Sequence, residues 1–201
     1  STFFHLVSLF AVMLVLLFGC LGYSAERPNA GDLDSPKEGR LALVWMDPHQ
    51  LFPWSQKRVA QEVQTVLADA GIDVSWRIYC NAEDLSPQSE EKSALPIFLT
   101  PKDASTWGLE NNVMGAVVGS GERRVVYIYF PNVKRAMGYS REEKVNRSPG
   151  DIYRFANALG RIIAHEVVHV CCPELPHTHD GLMSGRWNLR NLEYKRPQNM
   201  K

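Results

Sequence analysis

The first regular pattern of apolar and polar residues begins forty residues into the chain. Leu41–Met46 is a short apolar run, typical of a buried strand, and Asp47 and Pro48 end it. From Ser55 to Ala70, apolar residues recur at steps of three and four, which predicts an amphipathic helix that ends at Gly71. Its apolar positions are Val59, Val63, Val66, Leu67 and Ala70.

Further segments rich in β-branched and aromatic residues follow this helix. They are Val74–Tyr79, Pro96–Thr100, Val113–Val118 and Val125–Phe130. The last two are joined through residues 119–122 (GSGE), which favours a hairpin, with a longer crossover as the alternative. Residues 131–150 are polar and predict irregular structure. The elements together predict an α/β (α+β) fold with about five strands.

A second helical pattern begins at Asp151 and leads directly into two histidines. Its apolar stripe consists of Ile152, Phe155, Ala156, Leu159, Ile162 and Ile163. The helix continues through His165-Glu166-Val167-Val168-His169. Because residues i and i+4 share one helix face, both imidazoles can reach one metal ion, with Glu166 beside them. A zinc ion lowers the pKa of its water to about 7, and an adjacent carboxylate can take the proton.

A catalytic zinc site needs a third protein ligand, and the following segment offers several. Pro173 ends the helix, and His177 and His179 arrive within ten residues of His169. Either can return to the metal without long-range folding. Asp180 and Glu193 are weaker alternatives. Asp180 lies beside Gly181 and resembles a turn residue. Glu193 has the spacing of the third ligand in gluzincins, but the polar motif that usually surrounds that Glu is missing.

The N-terminal segment has a different pattern from the rest of the chain. No charged residue precedes Glu26, and Leu6–Phe18 is an apolar run of signal-peptide length. We expect residues 1–25 to direct export, by lipidation of Cys20, by cleavage near Ala25 or as a retained membrane anchor. Residues 26–40 are rich in Pro, Gly and charge and are interpreted as a linker, which leaves 41–201 as the folded domain.

Composition narrows the range of functions. The chain has 201 residues, with Lys+Arg 22 balancing Asp+Glu 22, and it has no basic stripe, so we expect no nucleic-acid partner.

Export would permit a disulfide from Cys80 to Cys171 or Cys172, and buried free thiols are the alternative.

The segment from His165 to Met183 resembles the metzincin class of zinc metallopeptidases. In that class a third His and a tight turn carrying a Met follow the HExxH helix, and Gly181-Leu182-Met183 matches this Met-turn. Cys172 and Leu175 depart from the usual Gly and His of the class. The register instead resembles poorly characterised exported bacterial metzincin-like proteins, whose third His comes eight residues after the second, and this selects His177.

The resemblance also has implications for architecture and substrate. It implies a twisted mixed sheet with a backing helix and an active-site helix, then a small C-terminal subdomain with the Met-turn and a helix. It further implies that Gly115–Val118 is an edge strand that pairs with an extended peptide, and that Met183 lies beneath the metal.

The function predicted from the sequence is an exported zinc-dependent metallopeptidase. His165, His169 and His177 bind zinc, Glu166 is the general base, and a peptide or protein is the substrate. Contact with a membrane is expected only through the N-terminal segment or its lipid. The alternatives are an exported zinc-binding module without catalysis, in which Cys171 or Cys172 closes the site, and a gluzincin-type peptidase that uses Glu193.

Overall fold

A computed structural model describes residues 40–79, 94–121, 123–140, 143–145, 148–187 and 189–192. Within these residues, five strands form one mixed sheet in the order β2-β1-β3-β5-β4. The strands are β1 Leu41–Met46, β2 Val74–Tyr79, β3 Leu95–Thr100, β4 Gly115–Val118 and β5 Val125–Tyr129. β4 lies at one edge and runs antiparallel to β5, whereas the other neighbouring pairs are parallel.

The helices of this part of the chain differ greatly in length. They are α1 Gln56–Asp69, α2 Phe130–Ala136, α3 Pro149–Cys171 and α4 Leu189–Leu192, and a 3-10 turn lies at Ala104–Trp107. Ser148 is the N-cap of the long helix α3, and its Oγ accepts a hydrogen bond from the N–H of Asp151 at 3.2 Å. Pro149 suits the first helical position because that position needs no N–H donor.

The core lies between the sheet and the pair α1 and α3. Alternate residues of the central strands are fully buried, as expected for a strand with one face on the core: Leu43, Trp45, Ile97, Leu99, Val126 and Ile128. They share one apolar cluster with the stripes of α1 and α3. α1 and α3 approach each other closely at Gly160, where a Cβ would lie 2.7 Å from the Cβ of Glu62.

The predicted fold class is confirmed at the level of a mixed α/β protein with a five-stranded mixed sheet. The hairpin prediction is also confirmed, because Val117 pairs with Val126 in an antiparallel register. The boundaries differ by one or two residues: β3 begins at Leu95, β4 begins at Gly115 and α3 begins at Pro149.

The prediction of irregular structure for residues 131–150 is wrong in its first part. The strand predicted to reach Phe130 ends at Tyr129, and Phe130 begins α2. This helix is too short for its apolar residues to show a helical period. Tertiary contacts hold this helix in place. Phe130 and Val133 are buried in the core, and the side-chain amide of Asn132 donates to the carbonyl of Val113 at 2.6 Å.

The predicted export segment and linker, residues 1–40, lie outside the described residues except for Arg40. Among the helices that are described, none is both long enough and apolar enough to cross a membrane.

Candidate metal centre

Three imidazole rings converge at the C-terminal end of α3. Nε2 of His169 lies 3.2 Å from Nε2 of His165 and 3.0 Å from Nε2 of His177. The candidate ligand atoms of the three residues all lie within 4.8 Å of one another, so these three histidines, which we call the metal-binding group, could hold a metal ion. The rings of His165 and His177 are parallel within 4°, and that of His169 is nearly perpendicular to both.

The helix and the loop after it supply these rings in different ways. His165 and His169 lie one turn apart on α3, which ends at Cys171 as the N–H of Cys172 donates to the carbonyl of Val168 at 2.7 Å. The chain then reverses through residues 172–187, which we call the ligand loop. This loop carries His177, which is exposed, whereas His165 is buried.

Backbone hydrogen bonds fold the ligand loop onto itself. The N–H of Thr178 donates to the carbonyl of Met183 at 2.7 Å, and the N–H of Gly185 donates to the carbonyl of Thr178 at 3.2 Å. The chain reverses between these bonds at Gly181, whose φ of +81° favours glycine. Gly185 lies against His177, because a Cβ on Gly185 would be 3.2 Å from the Cβ of His177.

A second contact joins the ligand loop to the helix. Nδ1 of His165 lies 2.8 Å from the carbonyl oxygen of Leu182, which can only accept a hydrogen bond. The proton of the neutral ring therefore lies on Nδ1, and Nε2 keeps its lone pair for a metal. The ring of Trp187 stands edge to face against His165, with 5.5 Å between the ring centroids.

Burial favours the neutral form of the helical histidines. It lowers the pKa of His165 to about 4, although the hydrogen bond to Leu182 acts in the opposite direction, and it also lowers the pKa of His169. Neutral imidazole is the form that binds metals, so at pH 7 both rings are ready to act as ligands.

Glu166 follows His165 on α3 and is buried. It is 7% exposed, no described residue donates a hydrogen bond to it, and burial raises its pKa to about 8. On the edge strand, Gly115 lies against it: a Cβ at that position would be 2.7 Å from both Cγ and Oε1 of Glu166. The absence of a side chain at Gly115 therefore leaves room for this carboxylate.

The remaining predicted residues lie apart from the three rings or outside the described part. His179 and Asp180 are exposed, and neither belongs to the metal-binding group. Cys171 and Cys172 are free thiols and also lie outside that group. Met183 is half-buried and packs against the core. Cys20, Cys80 and Glu193 fall outside the described residues.

Sequence reasoning missed the groups that support the site from other elements. The carbonyl of Leu182 is a backbone group, so nothing in its side chain marks it. Gly115 has its effect only because the hairpin and α3 pack together, which no local pattern reveals.

Comparison with known proteins adds no family or relative to this geometry. No protein-family model, curated protein or solved structure matches the chain.

Proposed function

We propose that this protein is a zinc-dependent metallopeptidase in which His165, His169 and His177 hold the metal and Glu166 is the general base. One observation carries the proposal: three Nε2 atoms converge at the end of α3, where the residue that follows the first of these histidines is the buried Glu166. Three ligands with a neighbouring acid are typical of a catalytic zinc site, whereas structural sites bind the metal with four protein ligands.

The spacing of the three rings suits zinc. With Zn–N bonds of about 2.0–2.1 Å, tetrahedral ligand atoms lie roughly 3.3 Å apart. The two Nε2 separations of 3.2 and 3.0 Å are close to that value. Because Cys171 and Cys172 do not join the group, the described residues favour a site with one open position over a closed structural site.

The chain's own groups can carry the proton transfers of peptide hydrolysis. When bound, zinc supplies a Lewis acid that polarises a carbonyl and lowers the pKa of water to about 7. Glu166 takes a proton from the attacking water and returns it to the leaving amine. A positive charge at the three Nε2 atoms favours the carboxylate form of Glu166, which is the form that a general base requires.

The edge strand offers a place for the substrate. Among the strands that the structure describes, β4 is paired only with β5, and its first residue, Gly115, lies against Glu166. An extended peptide that adds to this free edge passes close to the general base. This arrangement supports a metzincin-like peptidase. The turn at Gly181 supports it too, because the carbonyl of the next residue, Leu182, contacts His165.

Export through residues 1–25, with or without lipidation of Cys20, remains part of the proposal.

The test compares wild-type protein with Glu166→Gln. We expect one zinc per chain in both proteins, and a loss of about 10²- to 10⁴-fold in cleavage of unfolded casein by the variant. Glu174→Gln is the matched control, because Glu174 is exposed and lies outside the metal-binding group, and it should retain activity. Equal cleavage by wild type and Glu166→Gln, or wild-type protein that binds no zinc, would reject the proposal.

A further inference from the structure

A cavity of about 480 Å³ opens beside His169, between the β4–β5 hairpin and the end of α3. Its walls include Val117, the turn residues Gly119, Ser120 and Gly121, and Pro173, which follows α3. The two glycines add no side chain to the walls, so the space beside the metal-binding group stays open. Arg124 is the charged side chain among the lining residues.

Backbone carbonyls hold the guanidinium of Arg124 in a fixed orientation. Its Nε donates to the carbonyl of Gly121 at 2.8 Å, and its Nη1 donates to the carbonyl of Val170 at 2.5 Å. An arginine has five N–H donors, so three remain for another acceptor. No carboxylate of the described residues forms an ion pair with Arg124, which is half-buried.

We propose that Arg124 and this cavity form a carboxylate-binding subsite, which selects acidic peptides on the His169 side of the metal. This inference rests on the proposed function, because it names the substrate class of the same site. The matching carboxylate belongs either to an Asp or Glu side chain or to the C-terminus of the peptide. In both cases the planar guanidinium can offer two parallel N–H groups to two oxygens.

The surroundings of Arg124 strengthen its preference for an acid. Partial burial reduces the screening of its charge by water, so a carboxylate gains more than it would on an open surface. Val117 and Pro173 offer apolar contacts to the methylene groups that precede the carboxylate. A Lys or Arg side chain in the same cavity would be repelled by the guanidinium, and an amide would lose the charge-assisted hydrogen bonds.

The test measures binding, so that it does not depend on cleavage. Zinc-loaded Glu166→Gln protein is mixed with a random pool of acetylated, amidated hexapeptides, and retained peptides are identified by mass spectrometry. We expect Asp and Glu to be enriched about tenfold over Asn and Gln, which corresponds to one charge-assisted contact. A second pool with free C-termini tests the terminal carboxylate as the source.

Matched variants assign any enrichment to the proposed residue. Arg124→Gln in the same background should abolish it, whereas Arg123→Gln should keep it, because Arg123 is exposed on the same turn and does not line the cavity. Arg124 also binds the end of α3, so Arg124→Lys serves as a second variant that retains the charge but loses the planar fork, and it should reduce the preference several-fold.

The inference is overturned if acidic and amide peptides are retained equally and a free C-terminus also gives no gain in retention, or if an enrichment survives both Arg124 variants. Enrichment of free C-termini alone supports the subsite and assigns it to the terminal carboxylate. A protein that binds acidic peptides but cleaves none would refute the proposed function alone. One that cleaves peptides without any preference for an acid would refute the subsite alone.

Discussion

The metal-binding group joins two regions that are built in different ways. His165 and His169 belong to α3, whose inner face is buried against the sheet and α1, whereas His177 belongs to the ligand loop. Residues 172–181 of that loop are exposed, and Ser184 is its one fully buried residue among those described. Two of the three rings are therefore fixed by the core, and the third depends on a few local hydrogen bonds.

This difference indicates how the site is assembled. The core holds two rings and Glu166 in place before a metal arrives, which reduces the cost of organising the site on binding. The third ring is held by backbone bonds in an exposed loop, and such segments open locally at low free-energy cost. A metal that binds all three rings therefore stabilises the ligand loop more than it stabilises α3.

The largest expected contrast is in global stability. Phe155 is fully buried and contacts the rings of Phe52, Phe130 and Tyr139, so Phe155→Ala should lower the free energy of unfolding by about 3–5 kcal/mol. In the ligand loop, Leu175 is 41% exposed, and Leu175→Ala should cost less than about 0.5 kcal/mol. Urea unfolding of metal-free protein measures both. Similar losses would mean that the loop belongs to the same cooperative core.

The position of the general base should be sensitive to the edge strand. In Gly115→Ala the new Cβ forces Glu166 to move, and displacement of a reacting group by about 1 Å can lower kcat about 100-fold. Steady-state cleavage and zinc content are measured together, and the zinc content should not change. Ala116→Ser is the control, since its side chain points to the opposite face of the strand and should leave kcat near wild type. Equal kcat in both variants would show that Gly115 is not needed to position Glu166 for catalysis.

Removal of the metal should affect the two regions unequally. After treatment with a chelator, we expect the amides of Thr178 and Gly185 to exchange with solvent at least about tenfold faster, because the metal stabilises only the folded loop. The amides of Leu159 and Ile163, in the buried part of α3, should change much less. Hydrogen exchange followed by NMR separates these sites. Uniform acceleration would show that metal and core are coupled as one unit.

The smallest contrast comes from the same substitution in each region. Gly181 has a φ of +81°, so Gly181→Ala should destabilise the metal-loaded protein by about 1 kcal/mol. Gly150 lies in the first turn of α3, where a Cβ would come no closer than 4.0 Å to Oγ of Ser148, so Gly150→Ala should stabilise by about 0.5–1 kcal/mol. Thermal unfolding checks both signs, and the same sign in both variants would contradict the assigned backbone conformations.

The two regions also differ in how far sequence could predict them. The apolar stripe of α3 and the spacing of His165 and His169 are local signals, so the helix and its two rings could be placed from sequence with small errors at the ends. The residues of the loop do not by themselves decide whether His177 or His179 is the third candidate ligand, because a reversing loop can present either. The choice of His177 came from a resemblance, and the structure brings Nε2 of His177, not His179, to the pair.

Other features could not be read from sequence because they depend on packing between distant segments. α2 has too few residues to show a period, and it is held by contacts with Val113 and the core. Arg124 is one of two adjacent arginines that follow the predicted connection at residues 119–122. Only the pairing of β4 with β5 and the ending of α3 bring its guanidinium to Val170 and the cavity.

X-ray absorption at the zinc edge of the metal-loaded protein tests the central claim, a three-histidine site with one open position, most directly. We predict three imidazole nitrogens at about 2.0–2.1 Å and one oxygen from solvent. Sulfur at about 2.3 Å would contradict it, because Cys171 or Cys172 would then close the site and the protein would be a structural zinc-binding module.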